Sequence, residues 1–249
     1  MKPQSNIIFG SHAVIEAIRS GKEIEKLFLK KNLTGEVLRE VMKSCRELDI
    51  PYQFVPDEKL NGITRKNHQG IIAYISEIEY QRLEQLIPIL YEKGQVPFIL
   101  ILDHITDVRN FGSIARTAEC AGVHAIVIPG KGAAQINADA IKTSSGALHN
   151  IAICRVGNIL SAIQFLSESG LKIFAASEKG DEYYNSVSYT DPAAIIMGAE
   201  DTGVSAEIIK KADHCIKIPV FGKIESLNVS VATALILYEV IRQRQLFLL

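Results

Sequence analysis

Three short segments carry side chains that could act on a substrate. The first is Asn110–Glu119, NFGSIARTAE, where Asn110 and Arg116 lie six residues apart across an expected helix start. The Gly112 and Ser113 backbone N–H groups are expected to face an anion at the positive end of that helix. The plainer alternative is an Asn that caps the helix and an Arg on its surface. The second segment, Ile195–Ser205, is IIMGAEDTGVS. Gly198 ends a buried run and lets backbone approach a ligand closely, and Glu200 just beyond it can hold a ligand or orient a cation. An ordinary tight turn with an exposed carboxylate competes with that reading. The third segment, Ile216–Glu239, runs from a strand ending at Pro219 through a glycine loop to Ser226-Leu227-Asn228 and an apolar helix. Ser226 or Asn228 can cap this helix, and the same groups can form a hydrogen-bonding floor for a small molecule.

Better-known signatures are missing. G-x-G-x-x-G fails because Gly130-Lys131-Gly132 runs on to Gln135, which counts against a nicotinamide oxidoreductase. There is no G-x-x-x-x-G-K-[ST] and no G-x-S-x-G, so Ser144-Ser145-Gly146 reads as a helix end. The histidines lack metal spacing, and His68, His104 and His149 read as structural or substrate-contacting. No metal is expected.

The elements that must position these segments alternate along the second half of the chain. Strands are expected at Phe98–Asp103, His124–Pro129, Ile151–Arg155, Lys172–Ala176, Ala194–Met197 and Cys215–Pro219. Helices are expected at Ile114–Cys120, Ala138–Ser144, Ile159–Ser169, Val204–Ala212 and Val229–Leu246. The continuous apolar run FILILD suits a strand covered on both faces, and alternating βα units imply a mostly parallel sheet between helices. Ligands bind such sheets at the carboxyl ends of the strands. The last helix carries apolar residues on more than one face, so one side should pack on the sheet and the other on a partner. The front of the chain reads as a small α/β unit, with helices at Ala13–Arg19 and Glu36–Leu48 and strands at Ile24–Leu29, Tyr52–Val55 and Gly70–Ile75. The expected division is a domain over 1–78, a polar linker with Pro88 inside it over 79–96, and a second domain over 97–249.

Composition sets the bounds. The chain has 249 residues, 47% hydrophobic and 22% charged, which fits a globular protein with a sizeable core. Its formal net charge of −1 gives no whole-chain signal for nucleic acid, so RNA binding must rest on local features. Over residues 1–78 there are 12 basic and 10 acidic side chains. Lys30-Lys31 and Arg65-Lys66-Asn67 are the candidates there for phosphate contacts. The four scattered cysteines suit neither zinc nor a disulfide framework and point to a reducing cytoplasm. No run of about 18 apolar residues is present, and no membrane association is expected.

Taken in order, NFGSIART, MGAEDTGVS and IPVFGKIESLNVSVA resemble motifs 1, 2 and 3 of the SpoU/TrmH family of RNA ribose 2′-O-methyltransferases, within the SPOUT superfamily. FGSHAVIEAI and NHQGIIA are similar to the substrate-binding domain in front of its ribosomal-RNA members. The resemblance implies a C-terminal trefoil-knotted, mostly parallel α/β sheet with helices on both faces, behind a small RNA-binding domain. It implies S-adenosylmethionine as cofactor and a homodimer with composite active sites. Its catalytic set falls on Asn110, Arg116, Glu200, Ser226 and Asn228. Its cofactor loops fall on Gly198, Ile218 and Leu227. Arg116 is expected to grip an RNA phosphate and stabilise the alkoxide, with Glu200 and Asn110 holding Arg116 and the ribose in line. Ser226 and Asn228 are expected to form the pocket floor. The substrate so implied is a guanosine of 23S rRNA; tRNA, or a catalytically silent role in ribosome assembly, are the alternatives.

Overall fold

The computed structural model describes residues 7–48, 50–224 and 226–246. The chain divides into two compact units, 1–79 and 80–249. In the first, β1 (Ile7–Phe9), α1 (Ser11–Arg19), β2 (Ile24–Lys30), α2 (Glu36–Glu47), β3 (Tyr52–Val55), α3 (Asp57–Ile63) and β4 (Ile71–Ile75) follow one another. They build a mixed sheet ordered β1-β4-β2-β3, in which only β2 and β3 run parallel. Strand alternation sends Leu27 and Leu29 to one face, where Val14, Ile18 and Val41 of α1 and α2 close over them. Phe28 turns to the other face and meets Leu60 of α3. The short elements β1 and α3 have no clear sequence signal; three residues give too little alternation, and Asn61-Gly62 sits inside α3.

The second unit begins with α4 (Leu83–Glu92). Leu83, Ile87 and Leu90 are at helical spacing and buried, so the stretch expected to be a linker contributes to the core. After it come β5 (Phe98–Asp103), α5 (Val108–Cys120), β6 (Ala125–Pro129), α6 (Ala138–Thr143), β7 (Ala152–Val156), α7 (Ile159–Glu168) and β8 (Lys172–Ala176). The unit is completed by β9 (Glu182–Tyr183), β10 (Ala193–Gly198), α8 (Ala206–Ile209), β11 (His214–Lys217) and α9 (Val229–Leu246). Seven strands form a parallel sheet ordered β7-β6-β5-β10-β8-β11-β9. Ile99 and Ile101 face α4, α7 and α8, while α5, α6 and α9 cover the opposite side. β10 slots between β5 and β8, so β5 is the point from which successive strands leave in two directions. The carboxyl ends there are where a ligand crevice opens.

Local sequence explains the helix ends. Asn158 accepts from the Ser161 N–H and caps α7, as expected, and Gly170 follows it in the left-handed region. Ser144 ends α6 and donates to the Ile141 carbonyl, which confirms the helix-end reading. Burial pushes the Cys45 and Cys154 thiols up, to about 11 and about 12, and both are core side chains.

Candidate active site

The α5 helix starts at Val108, earlier than expected. Asp107 is its cap, and its side chain accepts from the Asn110 N–H at 2.7 Å. Gly112 and Ser113 are therefore inside the helix, and their N–H groups are not free at its end to face an anion, contrary to expectation. Gly112 serves packing instead. A Cβ there would lie 2.8 Å from Thr143 Cβ and 2.9 Å from the Ala140 carbonyl, so only glycine lets α5 and α6 approach so closely.

Asn110, Glu200 and Asn228, from three distant parts of the chain, converge. Asn228 precedes α9 and its Oδ1 accepts from the Ser230 N–H (2.9 Å) and hydroxyl (2.5 Å). That fixes the orientation of its amide. Its Nδ2 donates to Glu200 Oε1 at 2.6 Å and to Asn110 Oδ1 at 3.1 Å. Glu200 Oε1 also accepts from the Val229 N–H at 3.2 Å, placing a carboxylate at the positive end of α9. With its Oδ1 engaged, Asn110 keeps an Nδ2 that has no partner among the described residues.

Arg116 is exposed and makes no ion pair or hydrogen bond among the described residues. Glu200 is turned to Asn228 and the α9 backbone, with no ion pair to Arg116. Ser226 and Leu227 are exposed in the loop before α9.

Beside this cluster lies a cavity of about 340 Å³ at the carboxyl ends of β8, β10 and β11. Gly198, Glu200, Ile218, Ser226 and Leu227 all line it. Its wall is apolar at Met197, Ile216 and Ile236 and carries carboxylates at Glu178 and Glu200. Ser177–Lys179 and the α9 residues Ala232 and Ile236 also line it, and sequence reasoning misses both groups. No motif marks the β8 turn, and the α9 positions read as core. The volume is in the range of small-molecule sites, and a wall divided about evenly between apolar and polar surface, with carboxylates at Glu178, Glu200 and Asp201, suits an adenosine carrying a cationic tail. Gly198 ends β10 where the loop folds straight back. A Cβ there would lie 2.1 Å from the Gly203 carbonyl carbon, far inside van der Waals contact.

A further device sits next door. Asp103, buried at the end of β5 opposite Gly198, accepts from the Ser205 N–H at 3.2 Å and from His104 Nδ1 at 2.6 Å. It ties β5 to the far end of the cavity loop. His104 has φ +59 and its ring lies against Gly132. Among the described residues, no helix is long and apolar enough to cross a membrane, and no group of three or more His, Cys, Asp or Glu side chains could hold a metal.

The SpoU rRNA Methylase family matches residues 97–238, and the RNA 2'-O ribose methyltransferase substrate binding family matches residues 7–81. A Bacillus subtilis protein named as a TrmH family tRNA/rRNA methyltransferase, YacO, is 34% identical over 244 residues, covering 98% of each chain. The crystal structure of an AdoMet-bound rRNA methyltransferase from Sinorhizobium meliloti is similar at 25% identity and a TM-score of 0.61, over 95% of this chain and 86% of that one. The A. aeolicus TrmH/SpoU tRNA modifying enzyme is 34% identical with a TM-score of 0.57, over 66% of this chain and 85% of its own. The family match spans more than half of the sequence and the relatives extend along nearly all of it, so the chain belongs to the SpoU/TrmH family of RNA methyltransferases.

Proposed function

We propose that this protein transfers a methyl group from S-adenosylmethionine to a ribose 2′ oxygen of RNA, with a guanosine of 23S rRNA as the target. The observation that carries this reading is the convergence of Asn110, Glu200 and Asn228 beside the cavity lined by Gly198, Ile218, Ser226 and Leu227. The front unit supports rRNA over tRNA. The rRNA methyltransferase neighbour covers 95% of this chain, whereas the tRNA-modifying one covers 66%.

The cavity's apolar side chains and carboxylates fit the cofactor, which supplies an electrophilic methyl when bound. The protein's task is to aim a ribose hydroxyl at it. A neutral hydroxyl is a weak nucleophile and must shed its proton, here to solvent water, in or before the transition state. The guanidinium of Arg116 is a poor base but a strong bidentate partner for a phosphate and for the alkoxide charge as it develops. The Asn110 Nδ2 group orients the ribose and Ser226 lies on the cavity floor, whereas Asn228, contrary to expectation, is outside the cavity lining and ties Asn110 to Glu200. Glu200 acts through Asn228 and the first turn of α9 rather than by holding Arg116 within one chain. Alignment of nucleophile and donor can supply ~7–11 kcal/mol.

The active form in this reading is a homodimer. α9 buries Val229, Thr233, Ile236, Leu237 and Val240 but leaves Val231, Leu235 and Tyr238 on a second face, 49%, 40% and 53% exposed in the single chain. That stripe suits an isologous two-fold contact, and a second chain can complete the surroundings of the unpaired Arg116. The trefoil knot belongs to the same reading, supported by the insertion of β10 between earlier strands. Incubating the protein with radiolabelled S-adenosylmethionine and unmodified 23S rRNA or tRNA, then mapping the label, tests it. Label on the ribose of one rRNA guanosine is expected; label on tRNA alone, or on a base, overturns it.

A further inference from the structure

The RNA-facing part of the first unit can be located from its charges. The seven-residue α3 covers only part of one face of the four-stranded sheet. On that face Lys26 stands opposite Tyr74, and Phe28 opposite Ile72. Tyr74 meets the Phe28 ring edge-on at 5.8 Å. Two ammonium groups converge on the same ring: Lys26 from β2 and Lys59 from α3 each place Nζ 5.0 Å from its centroid. The ring's negative face attracts both, and a lysine held this way keeps its N–H donors for an outside partner. The two charges can be no farther apart than the sum of those distances. Neither is paired with a carboxylate among the described residues, so their repulsion is left to be relieved by an anion.

The same face continues onto the loop before β4, where Lys66 Nζ lies 5.7 Å from the Phe9 ring and Arg65 is without a partner among the described residues. This loop is anchored at both sides. His68 is buried and accepts the Gly70 N–H on Nδ1 at 3.0 Å, so its Nε2 carries the proton and donates to Asn61 of α3 at 3.2 Å. Gln69, with φ +51, accepts the Ser11 N–H of α1 at 2.9 Å. Lys30, by contrast, is paired with Asp57 at 3.0 Å and is the weaker of the sequence candidates. The opposite face is electrically balanced: α1 and α2 carry as many acids as bases, with Arg19 paired to Glu40 and Lys43 to Glu47.

We propose that Lys26, Lys59 and Lys66, with Arg65, form the phosphate-gripping surface of the first unit, and that RNA rather than protein is its occupant. This rests on the RNA-methylating reading above. The asymmetry of pairing argues for it: Lys26, Lys59, Lys66 and Arg65 have no acid partner among the described residues, although α3 carries Asp57, taken by Lys30, and Glu58, whereas the helices of the opposite face carry as many acids as bases, in a unit that matches an RNA substrate-binding family. The test uses the full chain and filter binding of transcribed 23S rRNA over a range of salt. Changing Lys26, Lys59 and Lys66 together to Gln removes the charges and leaves a polar side chain at each position. RNA affinity should fall at least ~10-fold and the slope of log affinity against log salt should become shallower by ~2, at about 0.7 per lost contact. Cofactor affinity should stay unchanged, the triple Arg variant should restore binding, and Lys43→Ala should bind as wild type. An unchanged affinity and salt slope in the Gln variant, or an equal loss in Lys43→Ala, overturns the proposal. If the wild type transfers no methyl group but its RNA binding still depends on these lysines, the surface stands and the methylation reading falls.

Discussion

Arg116 and Asn110 differ in how far one chain completes them. Asn110 is tied into a network through its Oδ1 and keeps both N–H donors of its Nδ2 group, while Arg116 is exposed and has no partner among the described residues. Arg116→Ala should therefore leave folding and cofactor affinity within a few-fold of wild type and lower methyl transfer ~100- to 1000-fold, the usual cost of one charge-stabilising donor. Equilibrium cofactor binding and single-turnover transfer separate the two effects, and full activity would remove Arg116 from the mechanism. Gly198→Ala should do the reverse. Its methyl group meets backbone, which cannot swing aside as a side chain can, so the 198–205 loop must shift and the cavity with it. Loss of cofactor binding is expected, with ~1–3 kcal/mol of destabilisation from overpacking. Calorimetric titration with S-adenosylmethionine checks this, and wild-type affinity would show that the loop does not shape the cavity.

At the scale of elements, α9 is held near its carboxyl end by polar groups that have no sequence signature. Near its carboxyl end Arg244 donates to the carbonyls of Tyr189, Val96, Asp191 and Pro97 at 2.9–3.3 Å and lies over Phe98. Arg244→Met keeps the stem but takes the donor from the Tyr189, Val96 and Asp191 carbonyls, while that of Pro97 still accepts the Ala193 N–H. A loss of ~3 kcal/mol is expected, seen as a Tm about 6–12 °C lower; an unchanged Tm would show that solvent satisfies them equally well. One turn earlier, hydrogen bonds from Arg242 hold the Glu239 carboxyl below its ordinary value, opposed by partial burial. Its contribution is thus present at neutral pH and fades as pH falls through that lowered range. Glu239→Gln should flatten the acid side of the Tm-against-pH curve and leave the alkaline side alone. Strands β5 to β8, β10 and β11 are legible in the sequence because parallel buried strands are continuous apolar runs, and the site because each motif follows such a run. The start of α5 is misplaced there because its cap, Asp107, lies ahead of the motif. α4 passes for a linker because Pro88 and the flanking polar residues mask Leu83, Ile87 and Leu90. The Arg244 clamp is invisible, since its partners are backbone carbonyls that any residue can supply.

For the whole molecule, the unit boundary predicts where the chain can be cut. A shortened chain beginning at Tyr80 should fold and bind cofactor, whereas one that also drops Leu83 loses a core side chain and should be markedly less stable. Circular dichroism melts of the two compare them directly, and equal stability would exclude α4 from the cooperative core. Light scattering tests the dimer: twice the 27.4 kDa of one chain is expected for wild type, and monomer or insoluble protein for Leu235→Glu. A wild type of 27.4 kDa with full activity would overturn the composite site. The position of β10 also has a consequence in time. Phe98 emerges from the ribosome long before Ala193, the residue it pairs with. At ~5–20 residues per second, β5 waits roughly 5–20 s with one edge unpaired. The first unit waits less: β1 meets its partner β4 when Tyr74 follows Ile7, roughly 3–13 s at the same rate, and every strand of its sheet is made by Ile75. Synthesis thus delivers a finished RNA-binding head while the catalytic half is still an open sheet, and during those seconds that half is the part of the nascent protein most exposed to aggregation and most in need of a chaperone.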